Sequence, residues 1–471
     1  MVNVSAVERW IPLISAVVLT APLGCNCSKT SSRATPDAAL IVSPTDAGRT
    51  EAKAALLCAA GKDGAVFILG TDKGHGEEDD SGIDVPFGIN VGQAMGYDGG
   101  FAVTAIDGHA GKIHAVLAVM GQNAQNGKKL DLGQVYGDPD PPHIVGDSRN
   151  LVLALADMDA AGRTLRLLRV DDPAGAAKLA RGGEISVAQN SSTTFSIAVN
   201  GEHGILTWEE AEKKTELGQV AFSHFLVSNL ALPKKPAVAS NGKSDAESPQ
   251  VVAREGGFWL GWVQSLPSKP AEHAVKKSGA PAANRGDSKN AAREEPALPA
   301  VDIGVRELYV SALDVEGRAL SKPIRVTENP VHAVTYEMAT LGDSSALLAW
   351  RDDDTSPGVE SQVVHLARVG LDGHVEHFRL EDESIGVGEP QLLTDSSAAP
   401  DDRVWLTVGN TGEKVSLVKL LANGSPVLPI IDDTDWGVAN PLVRFGGALL
   451  VARPRAGSVD IEPLRCTFGK R

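Results

Sequence analysis

Seven copies of one short apolar pattern are spread along the chain. Each copy follows a turn rich in Gly, Asp or Ser and has an apolar residue, an aliphatic residue and then, in six of the seven copies, a small residue. The aliphatic residues at the second position are Val103, Leu153, Leu206, Leu260, Leu348, Leu406 and Leu450. Their successive spacings are 50, 53, 54, 88, 58 and 44 residues. Because each copy is short and almost continuously apolar, it predicts a buried β-strand.

Every copy lies between further strand-like segments. Around Leu260, residues 249–253 precede the copy, the alternating segment 308–313 follows it, and a fourth apolar segment comes after a turn. The long spacing of 88 residues contains residues 267–300, which are rich in Ala, Pro, Lys and Ser and lack apolar periodicity. We predict a disordered insertion there. The repeating unit is therefore four short strands in about 50 residues, a period typical of a β-propeller blade.

The sequence thus predicts an all-β fold, a single β-propeller of seven four-stranded blades. Stacking blades around an axis buries the faces that one blade cannot bury alone. We expect the small third residue where neighbouring blades approach closely, and the tryptophans, such as Trp259 and Trp262, in the wider space between blades. The last unit has three strands, so residues 54–70 are predicted to close the last blade. Cys58 and Cys466 would then form a disulfide, the alternative being two unrelated buried thiols.

The first residues read as a targeting signal. Residues 10–23 are an apolar run of 14 residues preceded by Arg9, shorter than the roughly 20 residues that span a bilayer. The run ends in Gly24 and Cys25, which resembles the lipobox of exported bacterial lipoproteins, although Pro22 stands where that family prefers Leu. The resemblance implies that Cys25 is acylated and that the chain is anchored by lipid in the cell envelope, at the outer membrane or facing the periplasm. Ordinary cleavage that releases a soluble product is the alternative.

The predicted organisation follows from these features. Residues 1–24 are a signal peptide, residues 25–53 are a lipid-anchored flexible tether rich in Ser, Thr, Ala and Pro, and residues 54–471 are the propeller with its insertion. The formal net charge is −16, which argues against a nucleic-acid partner. The expected partners are the membrane, through the lipid anchor, and an unidentified protein or glycan.

In a propeller, the loops between strands 2 and 3 and the loops between blades emerge on one face, which we call the loop face. Acidic residues and two histidines are predicted to gather there and to bind a cation or a basic partner; the alternative is a solvated rim. The candidates are Asp107, His109, Asp138, Asp140, His143, Asp157, Asp159, Glu209, Glu210, Asp352, Asp353 and Asp354.

No catalytic motif is apparent in the sequence, which has no P-loop, no nucleophile elbow and no zinc-protease signature. The first hypothesis is therefore a non-enzymatic binding or scaffold module. The alternative is a propeller hydrolase or lyase that acts on a glycan through acidic loop residues. A convergent pair of carboxyl groups near the axis would favour the enzyme. No cofactor is predicted, and a calcium ion that stabilises the packing is a third option.

Overall fold

The computed structural model confirms the all-β expectation. It describes residues 54–60, 65–68, 89–109, 112–121, 127–137, 139–159, 162–187, 194–211, 217–266, 305–328, 332–353, 362–378, 380, 388–394, 403–409, 415–431, 442–445, 448–455 and 458–470. No helix in this part of the chain is long and apolar enough to cross a membrane. The signal peptide, the tether and the insertion at 267–300 lie outside the described residues.

The described strands number twenty-nine, β1 to β29. In chain order they are β1 (Ala54–Ala60), β2 (Ala65–Ile68), β3 (Ile89–Tyr97), β4 (Gly100–His109), β5 (Lys112–Gly121), β6 (Lys128–Val135), β7 (His143–Gly146), β8 (Asn150–Asp159), β9 (Gly162–Asp171), β10 (Lys178–Val187), β11 (Phe195–Asn200), β12 (His203–Ala211), β13 (Gly218–Leu226), β14 (Ala237–Val238), β15 (Ala246–Arg254), β16 (Gly257–Ser265), β17 (Arg306–Asp314), β18 (Ile324–Arg325), β19 (Ala333–Thr340), β20 (Ala346–Asp353), β21 (Gln362–Val369), β22 (Val375–Phe378), β23 (Pro390–Thr394), β24 (Val404–Gly409), β25 (Val415–Leu420), β26 (Pro426–Ile431), β27 (Leu442–Phe445), β28 (Ala448–Arg455) and β29 (Ser458–Lys470).

These strands form seven antiparallel sheets, which are the seven predicted blades. Blades 1 to 6 each take four consecutive strands, from β3–β6 to β23–β26, and blade 7 contains β27, β28 and β29. The first strand of each blade contacts the first strand of the next, and β27 contacts β3. This circuit of first strands closes, so the seven blades surround one axis as a propeller.

The N-terminal strands close blade 7, as the sequence predicts. Strand β1 pairs antiparallel with the end of β29, and β2 pairs with its beginning. The register places Cys58 directly opposite Cys466. Directly opposed residues of antiparallel strands have Cα atoms about 4.5–5.5 Å apart, within the range that a disulfide spans. The bond itself stays a prediction.

The second strands carry the repeated pattern and fill the space between blades. Trp259 and Trp262 are three positions apart on β16, so their side chains leave opposite faces of blade 4. Trp259 packs in the cluster shared with blade 5, and Trp262 packs in the cluster shared with blade 3. Both rings are buried. The pair of tryptophans therefore has a packing role, as expected.

The small third residue faces the following blade. At Gly261, a Cβ atom would lie 3.2 Å from the ring of Tyr336 in blade 5. At the same position in blade 1, the hydroxyl of Thr104 donates to the carbonyl oxygen of Pro142 in blade 2, at 2.7 Å. A larger side chain at this position would push the blades apart, which explains why six of the seven copies keep it small.

Neighbouring first strands are joined by side-chain bonds rather than by a ladder. Val251 N–H donates to the Ser196 hydroxyl at 3.1 Å, and Ile144 N–H donates to Gln93 Oε1 at 3.1 Å. These bonds satisfy backbone groups that would otherwise be unpaired near the axis. The inner wall of the propeller is therefore held in part by polar side chains.

Candidate functional site

The structure describes some of the predicted candidates in full, others only by their backbone, and two not at all. Side chains are described for Asp107, Asp140, His143, Asp157, Glu209, Glu210 and Asp352. The structure gives only the backbone of His109, Asp159 and Asp353, whereas Asp138 and Asp354 lie outside the described residues. Several of the described candidates lie at the ends of second strands, on the loop face.

Two of these carboxylates hold the connections between blades. Asp157 Oδ1 accepts the backbone N–H of Tyr136 at 3.0 Å, and Asp352 Oδ1 accepts that of His332 at 2.9 Å. Asp157 also pairs with Arg166 Nη2 at 3.0 Å. Both residues therefore bind the connection from the preceding blade. This structural role is enough to explain why an acidic residue stands at each position.

The same register position in other blades has related structural roles. Glu210 Oε2 accepts the indole N–H of Trp208 at 3.1 Å, and Gln264 Oε1 accepts that of Trp262 at 3.2 Å. In blade 1, Asp107 pairs with Lys129 at 3.0 Å. In blade 4, a neutral glutamine accepts the same bond that a carboxylate accepts in blade 3. The structural role of this position therefore does not require a charge.

Glu209 lies one residue before this position, at a register whose residue type varies between blades. Blades 1, 2 and 4 have the buried apolar residues Ile106, Ala156 and Val263 there, whereas blades 5 and 7 have Arg351 and Arg453. Glu209 is partly buried and faces blade 4, like Ile205 on the same side of β12. Burying part of a carboxyl group costs stability, and positions where a sequence accepts such a cost are candidates for a functional role.

The surroundings of Glu209 keep its carboxyl group partly protonated near neutral pH. Burial, followed by the negative charges of Glu247 and Asp245, raises the pKa of Glu209 to about 7. The hydroxyl of Thr194 donates to Glu209 Oε2 at 3.3 Å and opposes this rise only in part. Glu209 therefore has the protonation behaviour of a general acid at physiological pH.

Its neighbours from blade 4 bind donors whose positions are fixed by the fold. Glu247 forms an ion pair with Arg306, whose guanidinium is mostly buried. Asp245 Oδ1 accepts the backbone N–H of Gly218 at 2.6 Å. Glu209 and Glu247 thus form a pair of carboxyl groups with different surroundings: the first accepts the neutral donors of Thr194 and the Ser248 backbone, and the second has a cation. Environments that separate two carboxyl groups in this way are how acid and base roles are assigned in active sites.

A line of polar groups continues from this pair to blade 5. Arg306 forms an isolated backbone bridge with His332, and Asp352 binds the His332 N–H as described above. His365 Nε2 lies 3.7 Å from Asp352 Oδ2 and is partly exposed. Between blades 3 and 5, the loop face therefore has the cation of Arg306 and the imidazole of His365 among its carboxylates.

His143 lies at the start of blade 2's first strand, on the other side of blade 3. Burial lowers the pKa of its imidazole to about 4, so it is neutral at physiological pH. Its ring centroid lies 4.5 Å from that of Phe195, which directly follows the Thr194 that binds Glu209. His143 is therefore close to the Glu209 region along the inner wall.

A second carboxyl group with a raised pKa lies deeper on the first strand of blade 5. Burial, aided by the charge of Glu389, raises the pKa of Glu337 to about 7. Gln250 Nε2 donates to Glu337 Oε1 at 3.4 Å and to the carbonyl oxygen of Tyr336 at 2.6 Å. The amide of Gln250 thus connects blades 4 and 5 at this carboxyl group.

The calcium option finds no support in the described part of the chain, where no group of three His, Cys, Asp or Glu side chains could hold a metal ion. Asp245, Glu247, Arg306 and Glu337 were not among the sequence candidates. Glu209 was a candidate, although the reason was only the acidity of its loop. Its raised pKa comes from burial and from charges on blade 4, which the repeat pattern does not show.

No family model matches the chain, and no curated protein matches it in sequence. Solved structures resemble it at low identity. A polysaccharide lyase described as an ulvan lyase has a TM-score of 0.48 and 10% identity, over 79% of this chain and 93% of that one. An α-L-arabinofuranosidase from Fusarium graminearum has a TM-score of 0.42 and 8% identity, over 70% and 94%.

The β-propeller domain of the Trilobed protease from Pyrococcus furiosus has a TM-score of 0.44 and 10% identity, over 81% of this chain and 95% of that one, and is described as having an open velcro topology. At such identities and TM-scores, these likenesses carry no argument about the chemistry of the site. The blade count and the closure rest on the strand order and contacts of the chain itself.

Proposed function

We propose that the propeller cleaves a glycan, as a hydrolase or a lyase, with Glu209 as the general acid. The observation that carries the proposal is Glu209 itself: a partly buried carboxyl group at the end of a second strand on the loop face, with its pKa raised to about 7. Both reaction classes need an acid that protonates the leaving glycosidic oxygen, and a carboxyl group that is still protonated near neutral pH can supply that proton.

Glu247 is the natural partner of this acid. It forms an ion pair with Arg306, and its charge raises the pKa of Glu209. A carboxylate beside the scissile bond can stabilise the positive charge that develops on the sugar or accept a proton from the nucleophile. The two roles, acid and base, then fall on two strands from adjacent blades.

The test uses the full-length chain, a panel of polysaccharides and an assay for newly formed chain ends. Glu209→Gln should lower kcat by at least about 100-fold, the usual contribution of a general acid. Glu210→Gln is the matched control, because an amide oxygen can still accept the Trp208 indole N–H, as Gln264 does for Trp262. It should leave kcat unchanged.

The pH dependence gives a second readout. Because Glu209 acts in its protonated form, kcat should fall as the pH rises through about 7. Calorimetric binding of a glycan with no cleavage, unchanged by Glu209→Gln, would instead support the binding module of the first hypothesis and overturn the enzymatic proposal.

A further inference from the structure

The charges around Glu209 are unequal. Asp245 Oδ1 and Glu209 Oε1 lie on the same side of Gly218, 2.8 and 3.5 Å from the position that a Cβ atom would take there, and Glu247 is close enough for its charge to act on Glu209. The cation described beside them, Arg306, is bound to Glu247. With Glu209 protonated, the described residues here still place two carboxylates beside one guanidinium, and these three groups together have negative charge at neutral pH.

This balance bears on the class of substrate. A lyase removes the proton next to the carboxylate of a uronic acid, and it needs a cation or a neutral donor to accept that carboxylate's charge as the reaction proceeds. Beside Glu209, such a carboxylate would meet Glu247 and Asp245, and like charges that are close together repel each other. The charge of Arg306 is already shared with Glu247, so it offsets this repulsion only in part.

We infer that the site hydrolyses a glycan whose sugar at the cleaved bond is neutral or carries an amino group, rather than a uronic acid. The inference rests on the proposed function. In the reaction, the proton of Glu209 passes to the glycosidic oxygen, and the bond from that oxygen to the anomeric carbon breaks. The hydroxide part of one water molecule bonds to the anomeric carbon, and the remaining proton of that water passes to Glu247. A protonated amino group would gain from the two carboxylates that repel a uronate.

The deciding experiment offers the full-length chain three classes of polysaccharide: neutral, amino-sugar and uronic-acid polymers. Reducing ends report cleavage of any kind, and the ultraviolet absorbance of an unsaturated uronate reports elimination alone. We expect reducing ends from a neutral or amino-sugar polymer, with no unsaturated product. Unsaturated product from a uronate polymer, lost in Glu209→Gln, would overturn this inference while supporting the proposed function. Cleavage of no polymer would overturn both.

Asp245→Asn tests the electrostatic argument directly. The amide oxygen can still accept the Gly218 N–H, so the loop is retained while one negative charge is removed. We expect kcat/KM for an amino-sugar polymer to fall about 2- to 5-fold relative to that for a neutral polymer, the scale of one partly screened charge. The loss of kcat at high pH should also begin at a lower pH, because the pKa of Glu209 loses one of its raising charges. An unchanged ratio and an unchanged pH limb would contradict the argument.

Discussion

The carboxyl group of Glu337 should make the propeller less stable as the pH rises. Its pKa is about 7 in the folded chain against an ordinary value of 4.5, so the folded state holds the proton more tightly than the unfolded state does. The stability that this proton supplies is fully present below about pH 4.5 and is lost as the pH rises through about 7. At about 1.4 kcal/mol for each tenfold change in proton affinity, the loss is up to about 3 kcal/mol.

Glu337→Gln isolates this contribution. The amide cannot ionise, yet its oxygen can accept the Gln250 N–H that Glu337 Oε1 accepts. We expect little change in the free energy of unfolding at pH 4.5 and a gain of up to about 3 kcal/mol at pH 8. Urea unfolding at both pH values measures it, with a constant m-value as the check that the unfolded states are comparable.

Glu255→Gln is the matched control, since Glu255 is exposed in the turn after β15. It should change the unfolding free energy equally, and by little, at the two pH values. If Glu337→Gln is less stable than the wild type at pH 8, or if its stability depends on pH as steeply as that of the wild type, the assignment of the proton to Glu337 is wrong.

Three further predictions follow from the packing, the seam and the N-terminal signal. Trp262→Ala should cost about 3–5 kcal/mol of unfolding free energy because it leaves a cavity between blades 3 and 4. Tyr136→Ala, at a residue that is 49% exposed, should cost little. Equal losses for the two variants in chemical unfolding would refute the packing role. Cys58→Ser should abolish a crosslink seen by mass spectrometry of unreduced peptides and lower stability by up to about 5 kcal/mol; free thiols at both positions in the oxidised wild type would rule the bond out. Cys25→Ser should release the chain from the membrane fraction, and a wild type that carries no lipid by mass spectrometry would contradict the lipid anchor.

The repeat was readable from the sequence because each second strand is nearly continuous in apolar residues. The aliphatic positions, from Val103 to Leu450, all fall on the second strands of their sheets. The closing role of residues 54–70 followed from counting strands. The repeat is visible because each blade must bury both of its faces against its neighbours, so every blade needs the same apolar second strand.

The candidate site was less predictable. The loop face was expected to be acidic, but Asp157 and Asp352 proved to bind backbone N–H groups of the connections. The pairing of Glu247 with Arg306 joins residues on either side of the insertion, and no local pattern links them. Raised pKa values depend on burial and on charges from other blades, which composition and spacing do not contain.

The pairing of β1 with β29 has a consequence for how the chain acquires its structure. The outer strands of blade 7 come from residues 54–68, but the strand that they pair with ends at Lys470. A chain that emerges from the N-terminus onward must therefore leave its first strands without their native partner until nearly all of it has been made. Closing so long a loop is a slow, non-local event. We would expect the unpaired segment to be the point at which a partly synthesised chain is open to proteases and to pairing with other chains.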